Sequence, residues 1–202
     1  NALAPMLEMV GRPVSRETLT TQAFLLDYFS GRLELRGARG SSDDKARPTD
    51  IEAPTEDLSP PGGAPSSSFH GPLYISMESV RQLAQAYGLT LNAVELTADE
   101  LLLLRFPMIA ALDLTQDGEA DHYVVMRDAN EARVVYVESD GTREQLPTYE
   151  FLRLFTRMAL VPSAESYGHL LSQQKAEAIR GAGFGVWSSR IRWRNDKSSG
   201  GS

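Results

Sequence analysis

The sequence predicts an α+β protein in which helices come first and a mostly antiparallel sheet follows, with two short helices packed among its strands. Two observations carry this. Short runs rich in Ile, Val, Tyr and Leu, at Pro107–Leu114, Asp121–Arg127 and Ala132–Asp140, follow one another across turns bearing Gly, Asp and Asn, the mark of consecutive strands. Ahead of them, apolar residues recur three and four apart, the period of a helix with one buried face.

Leu3, Met6, Leu7 and Val10 space a first helix over residues 1–10, with Gly11 as its C-terminal cap and Pro13 preventing continuation. The chain opens inside this helix, with neither Met nor a signal peptide, which leads us to expect further residues upstream of Asn1. Ser15 caps a second helix, whose face is Leu19, Ala23, Leu26 and Phe29 and which Gly31 ends. Residues 37–72 are rich in Ser, Pro, Gly and charge and poor in large apolar side chains, so we expect a disordered insertion. A third helix begins at Ser76 or Met77 and runs through Val80, Leu83, Ala84 and Tyr87 to Gly88. Leu91–Leu96 alternates as a strand, and Thr97 caps a short helix whose Asp99 and Glu100 suit its positive end. After the three central strands come a polar strand, 142–146, a helix capped by Thr148 and running to Phe155, and a last strand, 158–161. A weak apolar face over Tyr167–Arg180 predicts a helix, followed by a basic tail. The expected division is a domain over 1–165, and a helix with a flexible tail over 166–202.

Composition bounds the chemistry. The 202 residues are 42% hydrophobic and 23% charged with a net charge of −7, which fits a globular domain and argues against nucleic acid as a partner. There is no cysteine, so disulfides and thiolate metal sites within the chain are excluded. The run Leu101–Leu104 is far too short to span a bilayer. His70, His122 and His169 lie far apart without ligand spacing, and no Gly-rich loop follows a strand. No metal or cofactor is expected.

The chemistry is expected at the second central hairpin. If it turns over Ala129–Glu131, Asp128 pairs with Ala132 and His122 falls opposite Glu138, with Asp140 on the same face. A carboxylate opposite a histidine fixes the imidazole's tautomer so that it can activate a nucleophile. Such a nucleophile belongs at a helix N-terminus, where the dipole favours a thiolate.

Four stretches then resemble one family, the papain-like bacteriocin-processing peptidases that cleave leader peptides after a double glycine (cysteine peptidase family thirty-nine and its stand-alone relatives). They are Asn1 to Ser15 with its Gly11-Arg-Pro-Val-Ser15, the helix Ser76–Leu89, the strand opening Pro107-Met-Ile-Ala-Ala-Leu112, and Asp121-His122-Tyr-Val-Val through Glu138. The resemblance implies a papain-like fold, a bacterial origin, a peptide substrate such as a double-glycine leader, and His122 as the catalytic histidine. Glu138-Ser139 stands where the family has Asp-Pro, so Glu138 is the expected acid and Asp140 the alternative. The family's cysteine would fall three positions before Asn1. Two readings follow: an active peptidase whose nucleophile lies upstream, or a pseudo-peptidase kept as a peptide-binding module. Oligomeric state and compartment, whether cytoplasmic, membrane-associated or exported, stay open.

Overall fold

The computed structural model describes residues 2–31, 74–104, 107–163 and 167–182. The chain divides into a body, residues 1–33 with 72–202, and a segment, 34–71. All described residues lie in the body. The expected insertion, His70 and the basic tail fall outside them.

Three helices lead. Helix α1, Leu3–Met9, buries Leu3, Met6 and Leu7. Helix α2, Arg16–Phe29, starts as expected at Ser15, whose hydroxyl accepts the Thr18 N–H at 3.2 Å. Strand β1, Tyr74–Ser76, precedes α3, Met77–Ala86. A buried carboxylate fastens this junction. Asp27 of α2 accepts from Ser76 N at 2.8 Å, Ser76 Oγ at 2.7 Å and Ser79 Oγ at 2.6 Å. A charge with no exposure survives here because donors surround it.

The remaining elements form the sheet and its cover. They are β2 (Leu91–Glu95), α4 (Ala98–Leu103), β3 (Met108–Leu112), β4 (His122–Ala129), β5 (Arg133–Val137), β6 (Arg143–Pro147), α5 (Thr148–Leu154), β7 (Phe155–Pro162), β8 (His169–Leu170), α6 (Gln173–Ala178) and β9 (Arg180–Ala182). Seven strands pair antiparallel in the order β6-β5-β4-β3-β7-β2-β8, and β1 pairs separately with β9. The fold is α+β.

Side chains alternating along each strand divide the core into two. Ile109, Ala111, Tyr123, Val125 and Leu160 join the buried faces of α1, α2 and α3. Met108, Ala110, Leu112, Val124, Met126, Tyr136 and Ala159 join Leu101 of α4 and Phe151 and Leu154 of α5. The sheet is buried on both sides, which is why its central strands read as continuous apolar runs.

Three expectations are corrected. Residues 167–180 are not one helix. They make β8, α6 and the start of β9, because the short strands find partners far away in sequence, Glu95 opposite His169 and Tyr74 opposite Ala182. Residues 167–182 thereby pack as part of the body. The strand β1 was not anticipated. Thr148 does not cap α5; Pro147 holds the cap position, and the Thr148 hydroxyl donates to the Asn130 carbonyl at 2.5 Å, tying α5 to the β4–β5 turn.

Candidate active site

His122 opens β4 and Glu138 follows the last residue of β5. Their meeting depends on the register between the strands. The turn is not over 129–131: Asn130 N donates to Arg133 O at 3.0 Å, and Ala129 pairs with Val134. Near the turn the partners are therefore displaced by three residues from the expected pairing. An odd displacement would send Glu138 to the opposite face from His122. A β-bulge between Met126 and Asp128 then slides the register by one, so that Met126 pairs with Tyr136 and Val125 with Val137. The net displacement is two residues, and the shared face is restored. Continued without further shift, this register sets Glu138 opposite Val124, with His122 one period along the same face.

The two side chains meet across that diagonal. His122 Nε2 and Glu138 Oε2 are 2.7 Å apart. Both are buried, with side-chain exposures of 7% and 11%. Glu138 is held by a tight turn: its N–H donates to Thr142 O at 2.8 Å, and its carbonyl accepts from Gly141 N at 2.9 Å. Gly141 makes this turn possible at φ +90°, which favours glycine.

Asp140, the alternative acid, is engaged elsewhere. Its Oδ1 accepts the Thr142 N–H at 2.8 Å. That backbone hydrogen bond leads in holding its carboxyl below the usual carboxylate range; burial opposes it, and Arg16 at the start of α2 assists. Of the two acids, it is Glu138 that contacts the imidazole.

The geometry assigns the tautomer. An ionised carboxylate only accepts, so Nε2 carries the proton and neutral His122 presents a bare lone pair at Nδ1. Nδ1 is fully buried and has no hydrogen-bond partner among the described residues. A lone pair kept out of water and backed by a carboxylate can take a proton from a group brought against it, and the carboxylate then stabilises the imidazolium.

A small pocket adjoins the pair, lined by Tyr74, Leu114, Asp121 and His122. Sequence reasoning missed the first three as site residues. Asp121 carried the one available signal, a carboxylate next to the histidine after a Gly-bearing turn. Tyr74 had none, since it reaches the pocket through the unforeseen strand β1. His169 lies on β8, away from the pair in the sheet order.

An α+β domain with a buried histidine–carboxylate pair at a hairpin end has the parts of a general-base site. Residues 74–166, which include both members of the pair, match the family model described as the Peptidase C39 family. This is the family that the four sequence stretches resemble. Among solved structures the chain is similar to a double glycine motif protease from an AMS/PCAT transporter, solved in complex with the leader peptide. The identity is 22% and the TM-score 0.36, over 42% of this chain and 59% of that one. No curated protein matches. Among the described residues, no helix is long and apolar enough to cross a membrane.

Proposed function

We propose that this chain carries the histidine and acid of a papain-like cysteine peptidase that cleaves a leader peptide after small residues such as a double glycine. His122 is the general base and acid, Glu138 orients it, and the nucleophile is a cysteine encoded just upstream of Asn1. The observation that carries the proposal is the imidazole itself, with Nε2 held by a buried carboxylate and Nδ1 buried without a partner among the described residues. The match to the Peptidase C39 family over the segment holding both residues supports it.

The chemistry balances with these groups. Nδ1 takes the thiol proton, and the thiolate attacks the scissile carbonyl. The imidazolium, stabilised by Glu138, returns that proton to the leaving amine as the carbon–nitrogen bond breaks. Water, deprotonated by the same Nδ1, then hydrolyses the thioester.

The test is to express the full-length protein with the residues encoded upstream of Asn1 and offer it a double-glycine leader peptide. Cleavage should be abolished by His122→Ala with the fold unchanged by circular dichroism. Glu138→Gln should lower kcat by about 10²-fold or more, because the imidazole loses its charged partner. Full activity in His122→Ala would reject the assignment.

A second reading is a peptide-binding module without catalysis. It predicts leader-peptide binding by calorimetry with no product, and no Cys encoded upstream at the first helix.

A further inference from the structure

The pocket beside His122 is bordered by the turn between β3 and β4, residues 113–121. That turn carries Asp113, Asp117, Glu119 and Asp121, and the sequence contains no Lys or Arg between Arg105 and Arg127. The carboxylates are set in place by the backbone. Asp121 accepts from Leu114 N and Thr115 N, both at 3.0 Å, and Asp113 accepts from Asp117 N at 3.2 Å and Gly118 N at 2.8 Å. Amide donors orient a carboxylate without cancelling its charge, and Asp117 and Glu119 are exposed. The turn is therefore a fixed patch of negative potential. An acidic turn alone would describe only a solvated loop. What makes it part of a site is that the wall it shares is His122, a 93%-buried side chain whose Nδ1 has no partner among the described residues.

We propose, on the reading of His122 as general acid, that this turn selects peptides positively charged just after the scissile bond. The imidazole hands its proton to the leaving amine, so its side of the cleft holds the leaving segment. Asp121, in the pocket wall, then faces that segment, and the other carboxylates of the turn add to the field there. Lysine or arginine there is attracted, and aspartate or glutamate is repelled. The amine released by cleavage becomes an ammonium in the same field.

The experiment uses the full-length protein and three peptides identical through Gly-Gly. After it they carry Lys and Arg, Ser and Ala, or Glu. The basic peptide should exceed the acidic one in kcat/KM by about three- to tenfold at low ionic strength, with the ratio shrinking as salt is added. The double variant Asp117→Asn, Glu119→Gln should bring the ratio toward one. Equal rates for all three peptides would overturn the selectivity while leaving the peptidase reading intact, as would a ratio unmoved by the double variant. Cleavage of none would overturn both.

Discussion

Gly181→Ala should destabilise the body by about 1–3 kcal/mol, the usual cost of forcing a methyl into a packed core. Gly181 lies in β9 against the buried ring of Tyr123. A Cβ built there would stand 2.5 Å from Tyr123 Cδ2, 2.6 Å from Cε2 and 2.8 Å from Cγ. Carbon atoms pack at about 3.5–4.0 Å, so ring or strand must retreat by roughly 1 Å. The ring has little room. It is 4% exposed, and its hydroxyl donates to Ile179 O at 2.9 Å. The strand is constrained too, since Tyr74, Ile75 and Ser76 pair with Ala182, Gly181 and Arg180. Urea denaturation followed by circular dichroism measures the cost. The clash can be isolated with Tyr123→Leu, which removes the ring face. If the reasoning is right, Gly181→Ala adds much less destabilisation in that background than in the wild type. Wild-type stability within about 0.5 kcal/mol for Gly181→Ala alone, or strict additivity in the double variant, would refute the packing argument.

Other predictions address the acids and one backbone position. Asp27→Ala removes the acceptor for Ser76 N, Ser76 Oγ and Ser79 Oγ, and should cost about 3 kcal/mol or more in urea melts; a loss under about 1 kcal/mol would contradict it. The Asp140 carboxyl is depressed in the fold, first by the Thr142 N–H, so the stability it contributes is present above the unfolded value of about 4 and is lost as pH falls through the lower folded value. Asp140→Asn should therefore lower stability near neutrality and flatten the stability–pH curve below about pH 4, so that variant and wild type converge in acid, as denaturation at several pH values would show. Arg157 sits in β7 at φ +68°, where a side chain is strained, so Arg157→Gly should be neutral or raise Tm, whereas glycine in an ordinary strand lowers it.

Local chemistry was legible where residues act on their neighbours. Ser15, Ser76 and Thr97 announced their helices because each hydroxyl caps an N–H three residues on. Alternating and continuous apolar runs located the central strands. What escaped depends on distant partners. β1 and β9 are three residues each, too short to show a period, and exist through each other across more than a hundred residues. Thr148 has the residue type of a cap, but its hydroxyl is drawn to a carbonyl on another turn. The His122–Glu138 contact was foreseen through a register that the structure does not adopt. It survived because a helper the sequence does not advertise, the bulge near Arg127, restored the shared face. Glu138 was already the expected acid from its place opposite His122; what the sequence does not display is that the Thr142 N–H occupies Asp140.

That bulge gives the site an arithmetic of its own. Faces of a strand alternate, so the hairpin behaves as a counter that registers only odd and even. One residue gained or lost between Asn130 and Ala132, with nothing else changed, turns Glu138 away from His122, whereas two slide it along the same face. Drift in the length of this turn is therefore quantised: the imidazole keeps a carboxylate within reach through paired changes, or through a single change matched by a second bulge.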